Sequence, residues 1–308
     1  MNEGPTSVAV VIVTYNRAAL LDGCLDGLAA QTVRPDAVYV VDNASIDATR
    51  DLLEARSDLP LRVVRSEENI GGAGGFNLGV RLAYEAGFDR IWLMDDDVVP
   101  APDCLAVLVA HPGPALMPVR EDRSGALVEK AAMNFDLESR FIIHPKRLTV
   151  EHAFATRADL PREVPLQNVA FEGFMVSREV IDVVGLPDPS FFIFYDDVDF
   201  ALRARAAGFA IVALRDAVMV RQLDFDKQHA LDSWKGYYMY RNLFVVHFRY
   251  GANLVVRLKP YLIAAAVVAL SPRRGGRGEA SNVLKAITDA GRMRRIPPGG
   301  VNPGAPAR

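Results

Sequence analysis

Between Val8 and Met94 four short runs of β-branched and apolar residues alternate with helical patterns or polar turns, and this alternation constrains the fold more than any other feature. A helix that follows each strand carries the chain back to the same end of the sheet, so successive strands pair in parallel. The expectation is an α/β fold with a mostly parallel sheet flanked by helices. Val8–Val13 reads as the first strand, and a helix over Ala18–Ala30 follows, with Leu20, Leu21, Cys24, Leu25 and Leu28 on one apolar stripe. Val38–Val41 reads as the second strand, and Asn43–Asp47 supplies caps for a helix reaching Ala55. Leu61–Val64 is the third strand, a glycine-dense loop over Asn69–Asn77 enters a helix to Ala86, and Ile91–Met94 is the fourth strand.

The pattern then loosens. A helix is expected near Asp103–Ala110, a strand near Ala115–Val119, and a polar, irregular stretch over Arg120–Leu166, of the kind that more often covers a site than fills a core. Phe174–Val176 and Ile211–Leu214 read as late strands, Glu179–Val184 and Asp196–Ala207 as helices, and the chain is helical and increasingly basic from Ser233. The apolar run Tyr261–Leu270 is ten residues long. At about 1.5 Å per residue it spans roughly half of a ~30 Å hydrocarbon core, too little to cross a membrane alone. The expected division is an α/β catalytic domain over residues 1–225, a helical, basic and apolar region over 226–296, and a disordered tail over 297–308 rich in Pro and Gly.

Composition narrows the function classes. With 50% hydrophobic and 24% charged residues in 308, the chain is globular. A net charge of -3 argues against a nucleic-acid binder, which carries a basic surplus. Cys24 and Cys104 lack CxxC or zinc spacing and read as reduced, buried thiols, in keeping with a cytoplasmic protein. No basic segment precedes Val8–Val13, so no signal peptide is expected.

The sharpest chemical signal is Asp95-Asp96-Asp97 at the carboxyl end of a buried-looking strand, the edge at which open parallel sheets bind ligands. Two carboxylates about 5 Å apart repel by about 3 kcal/mol at an effective dielectric near 20, so such a cluster calls for a cation, Mg²⁺ or Mn²⁺, unless it is a solvated acidic turn. Alternation along a strand would point Asp95 and Asp97 one way and Asp96 the other. Thr14 and Asp42 end the first two strands on the same edge, where Asp42 would accept from a base or ribose or cap the next helix. The Gly71–Gly75 cluster follows the third strand instead of the first, which excludes a nicotinamide fingerprint. Its glycines allow either close approach to a ligand or tight helix-to-sheet packing. A second acidic set, Asp196-Asp197-Val198-Asp199, follows the aromatic run Phe191–Tyr195. It reads either as helix capping or as a general base beside an aromatic wall for a sugar.

Together Val13-Thr-Tyr-Asn-Arg17, Val41-Asp-Asn-Ala-Ser45, Asn69-Ile-Gly-Gly72, Asp95-Asp-Asp97 and Tyr195-Asp-Asp-Val-Asp199 resemble the inverting family-2 glycosyltransferases of GT-A fold, over roughly Val8–Leu214. The glycine segment and Tyr237-Tyr-Met-Tyr-Arg-Asn242 are most similar to the bacterial galactofuranosyltransferases and related rhamnosyltransferases. The resemblance implies a metal-dependent transferase using a UDP-sugar donor and a glycan or polyprenyl-linked glycan acceptor. It implies nucleotide-sugar contacts by Thr14, Asn16, Arg17, Asp42, Asn69, Gly72, Asn77 and Asp96, metal ligation by Asp95 and Asp97, and Asp197 as the base. Glu172, Tyr195 and Asp196 would meet the acceptor, with Glu172 equally readable as a helix-surface charge. Relatives often place a metal-binding histidine some two dozen residues past the base; none occurs over Ala217–Asp224, which leaves His229 or the charge of Arg221 as substitutes.

Galactofuranose transfer is the expected reaction, with rhamnose transfer from a thymidine diphosphate donor as the alternative. A nucleotidyltransferase would need a glycine-rich basic loop where Thr14–Arg17 stands, and an inactive glycan-binding module would not need both acidic sets. Arg249, Arg257 and Lys259 interleave with Leu254, Val255, Val256 and Leu258, which suits attachment to the inner face of the plasma membrane or a homo-oligomer interface.

Overall fold

The computed structural model describes residues 6–223, 231–274 and 277–295, so the expectations for His229 and for the tail lie outside the described residues. In chain order the elements are β1 (Val8–Thr14), α1 (Ala18–Ala29), β2 (Ala37–Asp42), α2 (Thr49–Ala55), β3 (Leu61–Arg65), α3 (Gly71–Glu85), β4 (Arg90–Asp95), β5 (Val98–Pro100), α4 (Cys104–Ala110) and β6 (Ala115–Glu121). There follow β7 (Ala132–Phe135), β8 (Lys146–Thr149), α5 (Val150–Ala153), β9 (Glu163–Leu166), β10 (Phe174–Ser177), α6 (Arg178–Val184), α7 (Asp196–Ala206), β11 (Ile211–Arg221), α8 (Trp234–Tyr250), α9 (Leu254–Arg274) and α10 (Arg277–Met293).

The main sheet has nine strands in the order β3-β2-β1-β4-β10-β6-β11-β5, with β9 paired to β11. Strands β1, β2, β3, β4, β6 and β11 run one way and β5, β9 and β10 the other, so the sheet is mostly parallel as expected. Every residue of β1 and β2 is buried, because helices cover both faces. Cys24 and Cys104 are buried free thiols within this core.

Strand register decides where the chemistry lies. Thr14 pairs with Asp42, Val13 with Asp95, and Asp42 with Arg65, so the carboxyl ends of four strands form one edge. Strand β10 is antiparallel to β4, with Phe174 opposite Leu93, which brings its approach segment, including Glu172, to the same edge. Strands β6 and β11 deliver Arg120 and Arg221 there, Met219 pairing with Arg120.

Several expectations are corrected. The glycine segment from Gly71 is the first turn of α3 and not a loop, since α3 lies so close to β1 that a Cβ at Gly75 would stand 2.5 Å from Val13 Cγ1 and one at Gly79 2.3 Å from Val11 Cγ1. Propensity argues against glycine in a helix, and the close packing overrides it. The stretch over 120–166 is irregular only in part: it also holds the β7–β8 hairpin, α5 and β9, joined by turns and irregular segments. Strand β11 runs on to Arg221, past a register shift between Leu214 and Val218 that interrupts the alternation of the sequence. The apolar run Tyr261–Leu270 belongs to a 21-residue helix, α9, and its segment Leu254–Ser271 has mean hydropathy 1.8, long and apolar enough to cross a membrane by length and composition. Only 28% of that segment is buried against the rest of the molecule.

Candidate active site

At the shared edge, β4 ends at Asp95 and the next two aspartates occupy the turn, so strand alternation does not extend to Asp97. Asp96 accepts from Thr14 Oγ1 (2.7 Å) and Arg17 Nη1 (3.1 Å), and Arg17 Nη1 also reaches Asp97 Oδ2 (3.3 Å). Burial lifts the Asp96 carboxyl to about 6, against the opposing charge of Arg17. Asp95 is pushed well above the usual carboxylate range by burial and by the charges of Asp97 and Glu172, and Asp97 is raised by burial and Glu172. Asp97 is 8% exposed, and its Oδ1 is buried with no hydrogen-bond partner.

A buried, unpartnered carboxylate oxygen beside a second carboxylate fits a hard divalent cation, whose ligands are oxygens. Among the described residues no group of three or more His, Cys, Asp and Glu side chains is arranged to hold a metal. The donor set of Asp95 and Asp97 would therefore be completed by water and by oxygens of the bound substrate, as is usual for Mg²⁺ with phosphate ligands.

Of the remaining residues expected at the nucleotide, Asp42, Asn16, Asn69 and Asn77 are already engaged with the protein. Asp42, 2% exposed, accepts from Ser45 N (2.8 Å) and Arg65 Nη1 (2.6 Å), combining a turn-capping role with an ion pair to an exposed arginine. Asn16, left-handed at φ 53°, accepts at Oδ1 from Ile46 N, and Asn69 Oδ1 accepts from Gly71 N. Asn77 Nδ2 donates to Pro187 O, and nothing lies within 4 Å of a Cβ built on Gly72. Asn69 and Asn77 line a cavity of about 470 Å³ with Glu68, Arg81 and Phe192.

Glu172 is not a helix-surface charge: it lies in the turn before β10, with its side chain 14% exposed. Its Oε2 meets Arg120 Nη1 (2.5 Å) and Arg221 Nε (3.2 Å), and Arg120, 1% exposed, also grips Glu129 through two hydrogen bonds of 2.9 and 2.6 Å. Burial would raise the Glu172 carboxyl, but Arg120 and Arg221 hold it below its usual range. Arg221 also lies within electrostatic reach of Asp97 and Asp95, bringing a positive charge beside the acidic turn.

The second acidic set opens α7. Phe192, Phe194 and Tyr195 all have positive φ, at 62°, 66° and 68°, and bulky residues adopt this conformation at a cost of about 1–3 kcal/mol each. Asp197 accepts from Val198 N and is raised to about 6 by burial, with Lys146 pulling it down. Asp196, 7% exposed, is pushed well above the usual range by burial and by Asp197, so the two adjacent carboxylates resist being charged together. Tyr195, the residue before the helix, has its hydroxyl raised to about 12 by burial. Asp199 is held by Arg203, Arg249 and Tyr250 and serves the packing of α7 against α8. The site thus pairs an acidic turn suited to a cation with a separate pair of buried carboxylates, which suits group transfer in which a hydroxyl attacks a center with a phosphate leaving group.

Residues 9–113 match Glycosyl transferase family 2. Galactofuranosyltransferase GlfT1 of Mycobacterium tuberculosis is 32% identical over 254 residues, covering 77% of this chain and 80% of that protein. Galactofuranosyltransferase GlfT2 of Mycolicibacterium smegmatis is 30% identical over 279 residues, 79% of this chain but only 41% of that longer protein. Among solved structures, mannosyltransferase PcManGT from Pyrobaculum calidifontis in complex with GDP-Man and Mn2+ has a TM-score of 0.56 at 22% identity, covering 95% of this chain and 84% of that one. S. aureus TarS 1-349 in complex with UDP has a TM-score of 0.51 at 18% identity, covering 87% and 72%. The fold and site define a GT-A sugar transferase. The chain belongs to glycosyltransferase family 2, and it is a hexosyltransferase similar to the galactofuranosyltransferases.

Proposed function

We propose that the protein transfers galactofuranose from UDP-galactofuranose, with inversion, to a glycan or polyprenyl-linked glycan of the cell envelope. The observation that carries this reading is the 32% identity to a galactofuranosyltransferase over four fifths of that protein's length. In this reading Asp197 accepts the proton of the acceptor hydroxyl as its oxygen bonds to the anomeric carbon, and the bond to the diphosphate breaks on the opposite face. Asp196 and Tyr195 border the acceptor. Thr14, Asn16, Arg17, Asp42, Asn69, Gly72, Asn77 and Asp96 surround the nucleotide-sugar; those with protein partners act by shaping the pocket or by exchanging those bonds for the ligand's.

Asp95 and Asp97 would hold Mn²⁺ or Mg²⁺, which when bound supplies positive charge to the leaving diphosphate, an effect worth several kcal/mol. The PcManGT complex contains Mn2+ and the TarS complex UDP, which favours the same ligands here. Attachment to the inner face of the membrane through α9 would give access to a lipid-linked acceptor.

A donor panel tests the reading. Purified protein with Mn²⁺ and a synthetic galactosyl-lipid acceptor should transfer sugar from UDP-galactofuranose and release UDP. Transfer only from thymidine diphosphate rhamnose would assign it to the rhamnosyltransferases instead, and neither transfer nor nucleotide binding would leave a glycan-binding module.

A further inference from the structure

The motif Tyr237–Asn242 lies on α8, away from both acidic sets in sequence, and the function derived above gives it no task. Its last two residues account for an unusual stretch of backbone. Past a single 3-10 turn at Pro189–Phe191 the chain to Tyr195 forms no regular ladder, and three of its residues are left-handed. Buried carbonyls that leave a ladder need other donors. Asn242 is fully buried, and its Nδ2 donates to Phe191 O (3.1 Å), Ile193 O (2.7 Å) and Phe194 O (2.8 Å). Arg241 Nη2 donates to Ser190 O (2.9 Å) and Phe191 O (2.7 Å), and Arg241 Nε donates to Asn242 Oδ1 (2.8 Å), fixing the amide with its NH₂ toward the loop. The two other carbonyls bond elsewhere: Phe192 O accepts from Ala73 N (3.0 Å), and Tyr195 O from Asp199 N (2.8 Å).

Each carbonyl from Ser190 to Tyr195 therefore has a donor, and the partners of four of the six include Arg241 or Asn242. The stretch ends at Asp196 and Asp197, and its middle touches the first turn of α3, where a Cβ on Gly71 would stand 2.1 Å from Phe192 O. The loop that Asn242 holds, which leads into the acidic opening of α7, is thus also bonded to the first turn of α3 through Ala73 N and Phe192 O.

We propose that Asn242, braced by Arg241, is a positioning residue for the transfer reaction: it holds the left-handed loop Phe191–Tyr195 so that Asp197 faces the reacting center. This rests on the reading of Asp197 as the base. Without the amide the three carbonyls lose a donor, the left-handed residues relax toward ordinary backbone, and Asp197 shifts. A displacement near 1 Å costs about 100-fold in rate when geometry supplies the catalysis.

The test is Asn242→Ala, with Arg241→Ala as a second variant that leaves the three amide contacts in place. Calorimetry with UDP and Mn²⁺, melting curves and the pH dependence of kcat are measured on both variants and on wild type. Asn242→Ala is expected to bind UDP within about threefold of wild type while kcat falls at least about 100-fold. The acid limb of its kcat profile should move to lower pH, as Asp197 gains access to water. Arg241→Ala should show the same changes in smaller measure. A wild-type kcat and profile in Asn242→Ala would overturn the proposal. So would loss of UDP binding in step with the melting temperature in both variants, which would make the pair a stability element only. If wild type itself neither binds UDP nor transfers sugar, the functional reading fails rather than this inference.

Discussion

Asp197 and Asp97 are the same residue type with different surroundings, and the difference sets their proposed tasks. Asp97 keeps a buried oxygen without a partner and looks for a cation. Asp197 is lifted to about 6 by burial, next to a second buried carboxyl, Asp196, that is also raised. A base with that value is charged above it and protonated below it, so kcat/KM should fall as pH drops through about 6, and a pH–rate profile reads this directly. Asp197→Asn should lower kcat by about 10²- to 10⁴-fold without changing UDP affinity and should abolish that acid limb. The carboxylates themselves were legible in the sequence because clustered acids at a strand end have few bland explanations. Their partners were not. Arg65 meets Asp42 from 23 positions away, Arg120 meets Glu172 across 52, and Asn242 reaches Phe194 across 48, so no local pattern marks them. The ion pairs of Glu172 were illegible for that reason: its sequence neighbours are aromatic and glycine, and the two guanidiniums beside it come from β6 and β11.

At the scale of elements, periodicity located the strands of the parallel half to within a residue or two, because each is a short apolar run between turns. It failed where a tertiary contact outweighs propensity. Helix α3 begins in glycines because β1 lies against it, with Val11 and Val13 occupying the space a side chain would need. Gly79→Val should therefore overpack this contact and destabilise the fold by about 1–3 kcal/mol, seen as a lower melting temperature. An unchanged melting temperature would mean that α3 can move away from the sheet. The hairpin β7–β8 was illegible for a different reason: its strands are four residues each, and exposed residues break the alternation that would identify them.

At the scale of the whole molecule, α8, α9 and α10 add a helical layer whose core includes Phe191 and Val198 beside the acidic opening of α7. The outer side of α9 stays uncovered: Leu254 and Leu262 are 70% and 66% exposed, with Val255, Leu258 and Tyr261 between them. Lys259 Nζ donates to Ser139 O and Ile142 O, which brings the loop bearing the 94% exposed Phe141 alongside. Exposed Arg140 and Arg257 supply positive charge to the same region. Such a surface suits anionic lipid, each basic residue near the membrane adding about 1 kcal/mol. The protein should co-sediment with phosphatidylglycerol vesicles, and Leu254→Glu with Leu262→Glu should release it while transfer to a water-soluble acceptor continues. Self-association in sedimentation, without vesicle binding, would assign the surface to a homo-oligomer.

In the proposed reaction the edge formed by Thr14, Asp42 and Asp95–Asp97 binds a nucleoside diphosphate through a divalent cation. Calorimetric titration of the wild-type protein and Asp97→Ala with UDP, in Mn²⁺ and in chelator, tests it most directly. UDP binding should depend on Mn²⁺ and be lost in Asp97→Ala. Equal UDP affinity in wild type and variant, or tight binding in chelator, would contradict it.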